Sequence, residues 1–181
     1  MKPSNVALMK LIIDDIFPEF EWDDSSERTA ERFVAYLKEY APGPRQFKLT
    51  TFPVDVNQLI MCGPIRFSSV CKHHLLPYTG TAWVGYIPND LMVGASKIPR
   101  LVKWCATKPS TQEELTAEIA SYLKHELSAM GVAVTMNAVH TCMACRGVRE
   151  EDAHLITSEM RGVFLTSGEA RHEYLTLMTE R

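Results

Sequence analysis

Two short segments carrying thiols and imidazoles, far apart in the chain, constrain the fold more than any other feature. They are Ser68-Ser69-Val70-Cys71-Lys72-His73-His74-Leu75-Leu76-Pro77 and Val139-His140-Thr141-Cys142-Met143-Ala144-Cys145-Arg146-Gly147. If they share an ion, everything between them must fold so as to bring their ends together. Cys71 and His74 are three positions apart, so one turn of backbone aims both at one ion while His73 is expected to point elsewhere, a spacing that suits zinc.

The run Val132-Ala133-Val134-Thr135-Met136-Asn137-Ala138-Val139 has the composition and alternation of a strand. Residues two apart on a strand share a face, so His140 and Cys142 are expected to leave the sheet on the same side. Cys71, His74 and Cys142 would then supply three ligands and leave a fourth tetrahedral position for water, the pattern of a catalytic site. Cys142-Met143-Ala144-Cys145 is itself a C-x-x-C, however, and with Cys71 and His74 it makes a closed Cys3His structural site equally compatible with the spacing. A chain without metal is the third alternative.

Further motifs accompany these segments: Tyr86-Ile87-Pro88, Gly94-Ala95-Ser96-Lys97-Ile98-Pro99-Arg100, Gln112-Glu113-Glu114-Leu115-Thr116 and Arg171-His172-Glu173-Tyr174-Leu175. With Cys71-Lys72-His73-His74 (usually C-E-H-H) and His140 through Gly147, they appear in the order found in GTP cyclohydrolase I. From about Thr29 to the C-terminus the chain resembles that zinc-dependent family.

One core suffices for 181 residues, and nothing suggests a second domain. The reading is an N-terminal helical segment, 1–45, followed by a catalytic unit, 46–181. A net charge of −3 gives no general attraction to nucleic acid, so any anion site must be built locally from Lys and Arg. Five cysteines, an odd number with metal-type spacings, fit a reducing compartment better than a disulfide framework. The apolar patch near the N-terminus is too short and too soon charged for a signal sequence, and no run approaches the roughly 18 apolar residues of a membrane helix. A cytoplasmic protein without membrane contact is expected.

Along the chain, Leu8, Ile12 and Ile16 predict a helix over residues 6–16 that ends before Pro18. The capping-box pattern Asp24-Ser25-Ser26-Glu27 predicts a second helix start, with Ala30, Phe33, Val34 and Leu37 on one face and Pro42-Gly43-Pro44 as its stop. Residues 47–67 read as extended and 78–87 as a returning strand. Ser96 is a plausible N-cap for a helix over 97–105. Thr111-Gln112-Glu113-Glu114 is a second capping box, opening a helix to about Met130 that Gly131 would end, with Leu115, Ile119, Leu123 and Leu127 as its buried stripe. Extended segments are expected near 155–158 and 161–165. Thr166-Ser167-Gly168-Glu169 then opens a last helix with Tyr174, Leu175 and Met178 as apolar contacts. Helices placed before and between antiparallel strands make the class α+β.

The resemblance implies the tunnelling fold (T-fold): an antiparallel sheet with two helices packed on one face, preceded by N-terminal helices. It also implies a homo-oligomer, a decamer of two pentamers with active sites between subunits. The implied reaction opens the guanine imidazole ring of GTP at C8 with a zinc-activated water. It releases formate and gives 7,8-dihydroneopterin triphosphate, for tetrahydrofolate, other pterin or deazaguanine synthesis. In that reading Cys71, His74 and Cys142 bind Zn2+, His140 protonates the purine nitrogen and His73 serves a later proton transfer. Glu113, with Gln112 beside it, accepts hydrogen bonds from guanine, a choice that rejects adenine because adenine lacks both donors. Ser96, Lys97, Arg100 and Arg146, with Arg32 reaching a neighbour's site, lie by the triphosphate; cations at the start of a helix make sense if an anion sits there.

Three positions depart from the family pattern. Lys72 replaces the usual Glu, Glu114 replaces the usual Arg after the guanine-binding Glu, and Cys145 keeps the closed-site reading open. The stretch before Thr29 leaves little room for an extended regulatory segment, so no elaborate feedback control is expected. Two other functions remain to weigh. One is a non-catalytic, zinc-stabilised guanine-nucleotide-binding T-fold protein. The other is a T-fold nitrile reductase, which would need a nucleophilic Cys and a nicotinamide cofactor for which no glycine-rich fingerprint is visible.

Overall fold

The computed structural model describes residues 3–41 and 46–179, in two compact units, Met1–Gly43 and Pro44–Arg181. The expected stop Pro42-Gly43-Pro44 lies outside the described residues.

In the first unit, α1 (Asn5–Ile16) is capped by the Ser4 hydroxyl, which accepts from the Ala7 amide at 3.2 Å. The second helix, α2 (Thr29–Glu39), begins later than its capping-box pattern predicts, and Arg28 precedes it without a side-chain cap. The reason is competition from the residue before the pattern. The Asp23 carboxylate accepts from the amides of Ser25 and Ser26, both at 2.9 Å, and from the Ser25 hydroxyl at 2.7 Å. This closes an Asx-type turn where the helix would have started. Ala30 and Val34 are the buried residues of α2, whereas Phe33 remains 44% exposed.

In the second unit, β2 (Ile60–Val70), β3 (Pro77–Ile87), β5 (Gly131–His140) and β6 (His154–Gly162) form an antiparallel sheet in the order β2-β3-β5-β6. A two-stranded ladder pairs β1 (Thr51–Pro53) with β4 (Leu91–Val93). Strand alternation sorts side chains into two cores. Tyr78, Ala82, Val84 and Tyr86 of β3 and Val132, Val134, Met136 and Ala138 of β5 join the main core. The same core takes Ile98, Leu101, Val102 and Cys105 of α3 (Lys97–Cys105), and Leu115, Ile119, Leu123 and Leu127 of α4 (Gln112–Leu127). Each fully buried Leu or Ile contributes about 1.5–3 kcal/mol, so this stripe, more than intrinsic propensity, holds α4 in place.

Residues of the opposite parity, Ile87 and Ala133, enter a second cluster with Phe164 of α6 (Val163–Thr166) and Tyr174 of α7 (Gly168–Thr179). The Tyr174 hydroxyl donates to the Trp83 carbonyl at 3.0 Å. Gly85 makes this approach possible, since a Cβ there would stand 2.7 Å from the tyrosine ring.

Several boundaries differ from expectation. The α4 helix stops at Leu127, where Ser128 takes a left-handed conformation (φ 44°), and Gly131 opens β5 instead of ending the helix. A side chain at 131 would crowd the Phe164 ring at 2.9 Å and the Arg161 carbonyl at 3.2 Å, so packing fixes that glycine. The two extended segments expected near 155–165 are one strand, β6, followed by the short helix α6. Ser96 precedes α3 without a side-chain cap; the first turn is closed by the Lys97 amide donating to the Gly94 carbonyl at 2.7 Å. Tyr174 is buried as expected, but Leu175 is exposed. Among the described residues, no helix is long and apolar enough to cross a membrane.

Candidate active site

The first site segment is the turn joining β2 to β3. The Cys71 amide donates to the Leu76 carbonyl at 2.9 Å and the Leu75 amide to the Cys71 carbonyl at 2.8 Å, with Leu75 at a positive φ of 54°. The turn is stitched to the chain just before α4. Ser110 donates its amide to the Val70 carbonyl at 3.0 Å and accepts from the Lys72 amide at 3.4 Å.

The second segment does not continue as a strand. The β5 strand ends at His140, and Cys142 sits in a one-turn helix, α5 (Thr141–Ala144), so the shared-face expectation for His140 and Cys142 does not hold. The Thr141 hydroxyl donates to the Pro77 carbonyl at 2.6 Å, which ties α5 to the start of β3. This helical turn carries Cys142 toward the other segment. The ligand atoms of Cys71, His74 and Cys142 all lie within 4.8 Å of one another.

Cys71 Sγ is 3.8 Å from His74 Nδ1. His73, expected to turn away, also brings Nδ1 to 3.8 Å from that sulfur, yet it stays outside the three-way group. Cys145 is exposed and outside it as well. Two thiols and an imidazole this close are ligand types that could hold a metal ion such as zinc. Burial pushes the Cys142 thiol pKa up and the neighbouring Cys71 adds to this, with Arg146 opposing. A cation between the sulfurs would reverse that direction, because thiolates are the binding form.

His140 is 7% exposed, and its ring lies parallel to Tyr78 at a centroid distance of 4.5 Å and an angle of 4°. The two are register partners on β5 and β3. Burial lowers the His140 pKa, with the Glu113 carboxylate opposing. His140 Nε2 lies 2.9 Å from Gln112 Oε1. Gln112, expected against the substrate, is fully buried, and its amide nitrogen lies within hydrogen-bond distance of the carbonyls of Met136 and Leu155 and the Thr157 hydroxyl. Its side chain is thus engaged by protein at both ends.

The Thr111 and Glu114 capping box forms in both directions, and Glu113, which takes no part in it, is exposed beside it. Lys72 and Glu114 form an ion pair across the site's rim. Ser96 and Arg100 are exposed at the start of α3, while Lys97 directs Nζ to the Lys48 carbonyl at 3.1 Å and over the Phe47 ring. Arg146 is exposed just after α5. Arg32 belongs to the N-terminal unit, where it donates to the Ser25 carbonyl at 3.1 Å. Sequence reading missed Tyr78 and Ser110, whose hydroxyls lie 3.2 Å apart within the site's supporting layer. Nothing in their local pattern distinguishes them from ordinary strand and loop residues.

The profile of the family described as GTP cyclohydrolase I matches residues 7–179. The GTP cyclohydrolase 1 of Sulfurihydrogenibium sp. (strain YO3AOP1) is 42% identical over 153 residues, 83% of this chain and 82% of that protein. The GTP cyclohydrolase 1 of Hydrogenobaculum sp. (strain Y04AAS1) is 39% identical over 157 residues, covering 87% and 85%. Among solved structures, the archaeosine synthase QueF-Like in the apo form aligns with a TM-score of 0.46 at 16% identity, over 60% of this chain and 96% of that one.

Proposed function

The chain belongs to the GTP cyclohydrolase I family, and from that membership we propose a zinc-dependent GTP cyclohydrolase whose working parts are the residues just described. The reaction is hydrolytic opening of the guanine imidazole ring of GTP at C8, giving formate and 7,8-dihydroneopterin triphosphate. The observation that carries the assignment of the site is the group Cys71, His74 and Cys142, from which Cys145 is absent, with His140 at the end of β5, two residues before Cys142.

These ligands would hold the zinc ion; two sulfurs and an imidazole suit it better than a hard cation that prefers oxygen. When bound, zinc supplies Lewis acidity and a water that is nucleophilic near neutral pH. His140 would deliver a proton to the purine nitrogen as C8 is attacked, and His73 would serve a later transfer nearer the ribose. Glu113 would accept from guanine N1–H and the 2-amino group, a demand adenine cannot meet. Ser96, Lys97, Arg100 and Arg146, with Arg32 of a neighbouring subunit, would hold the triphosphate through charge-assisted hydrogen bonds. Lys97 would exchange its bond to the Lys48 carbonyl for phosphate.

The tunnelling fold, with α3 and α4 on one face of the sheet, accommodates this reading. Strands β2 and β6 are the edges of the four-stranded sheet. Pairing across those edges between subunits would close a barrel and leave no exposed ladder, in a decamer of two pentamers with sites between subunits. The free thiols support a cytoplasmic setting.

Incubating zinc-loaded protein with GTP, and measuring formate and the fluorescent oxidised pterin together, tests the reading. Equimolar products, absent with ATP or after chelation, are expected. Nucleotide binding without formate from an intact oligomer would instead make the protein a guanine-nucleotide-binding module.

A further inference from the structure

We propose that Gln112 is a positioning residue that fixes His140 as the Nε2–H tautomer, so that Nδ1 is the nitrogen that exchanges a proton with substrate. The second half of this statement rests on the assignment of His140 as the proton donor; the first half stands on geometry alone.

The orientation of the Gln112 amide is decided by its partners. One end of it lies 2.9 Å from the Leu155 carbonyl oxygen and 3.1 Å from the Met136 carbonyl oxygen. Both are acceptors only, so the NH2 group must face them; the flipped amide would oppose oxygen to oxygen twice. The Thr157 hydroxyl, also at 3.1 Å, shares the same two hydrogens. Gln112 Oε1 is thereby turned to His140 Nε2 at 2.9 Å. An amide oxygen can only accept, so the hydrogen between them belongs to the imidazole.

The arrangement is enclosed, with Gln112 at 0% and His140 at 7% exposure. Losing this bond would leave a buried polar atom without a partner, a cost that holds the pair together. The parallel Tyr78 ring fixes the plane of the imidazole, and Gln112 fixes its rotation within that plane. A neutral imidazole with hydrogen on Nε2 keeps its lone pair on Nδ1. To act as an acid the ring first takes up a proton from solvent on Nδ1; delivery then breaks that Nδ1–H bond, leaves the electron pair on Nδ1 and forms N–H on the purine, while Nε2–H stays hydrogen-bonded to Gln112 Oε1. The neutral ring left behind is already the tautomer that its surroundings favour.

The test uses zinc-loaded, full-length protein labelled with 15N-histidine, with the His140 ring resonances assigned by their loss in His140→Ala. The expected spectrum shows the Nε2–H tautomer; Nδ1–H in the wild type would overturn the proposal. Gln112→Met keeps volume and removes both hydrogen-bonding functions. With zinc content unchanged, it is expected to mix the tautomers and lower kcat by about tenfold or more, within the range that acid–base catalysis supplies, while KM for GTP stays within about threefold. A raised KM with kcat preserved would overturn the proposal and make Gln112 a substrate contact. If Gln112→Met does not fold, the wild-type spectrum decides the tautomer. Retained turnover in His140→Ala would overturn the catalytic reading of His140, an outcome separate from the tautomer.

Discussion

Lys72 on the ligand-bearing turn and Glu114 on the first turn of α4 form an ion pair. Both positions depart from the GTP cyclohydrolase I pattern, which usually has Glu at the first and Arg at the second. The two departures face each other, and each carries the sign opposite to that of the usual residue, so the turn and the helix are joined by a Lys–Glu pair. Glu114 also accepts from the Thr111 amide at 3.1 Å, so its carboxylate serves the helix cap and the ion pair together. The side chains are 40% and 51% exposed, so solvent and salt screen the pair and its contribution to stability is small. Its consequence is local charge and placement of the turn.

Lys72→Glu alone sets two carboxylates against each other beside the ligands and is expected to lower kcat/KM several-fold. The double variant Lys72→Glu, Glu114→Arg restores opposite charges and should recover most of that loss. A double-mutant cycle on kcat/KM measures the coupling. Additive effects would show that the pair has no joint role.

Cys145 and Cys142 should respond differently to the same change. Cys142→Ser is expected to abolish zinc binding and turnover, whereas Cys145→Ser should keep both, since Cys145 lies outside the three-ligand group. Metal analysis of the purified variants distinguishes the cases. Equal loss from both would establish a closed Cys3His site.

Asp23 offers a pH test remote from metal chemistry. Hydrogen bonds from Ser25 and Ser26 lower its pKa from 3.8 to about 2. A carboxylate with a depressed folded pKa stabilises the fold above its unfolded value. That contribution is lost as pH falls from about 4 toward 2, because the unfolded chain takes up the proton first. An NMR titration of the Asp23 carboxyl carbon should show a midpoint near 2. A midpoint near the ordinary value would mean that the turn before α2 is not held by this carboxylate.

Gly85→Ala should loosen α7 from the sheet. The added methyl would meet the Tyr174 ring at 2.7 Å, in a place where Tyr174 is fully buried and bonded to the Trp83 carbonyl. Overpacking of this kind costs about 1–3 kcal/mol. Thermal unfolding measures the loss; an unchanged Tm would show that Tyr174 can move aside without penalty.

What could be read in the sequence was local. The Thr111 and Glu114 box and the stripe from Leu115 to Leu127 depend on residues within one or two helical turns, and both form as expected. The α3 helix likewise runs over the predicted residues, 97–105. Local reading failed where a neighbour competed, as Asp23 did with the expected helix start. It failed for Cys142 because a four-residue helix has no periodicity to detect. The burial of Gln112 was illegible for another reason: its partners, Met136, His140 and Leu155, come from strands distant in sequence. The Lys72 and Glu114 pair spans 42 positions, and neither residue announces the other.

The division of the three ligands between the β2–β3 turn and the segment after β5 sets an order of events during synthesis. Cys71 and His74 are made without the third member of their group, and Cys142 follows after α3, α4 and β5 have been made. Until β5 pairs with β3, nothing holds the third ligand near the first two. A two-ligand chelate binds weakly, and affinity rises only when folding fixes the remaining donor. In the proposed zinc site, capture would therefore come late, onto an already paired sheet, and incomplete or misregistered chains would not retain the ion.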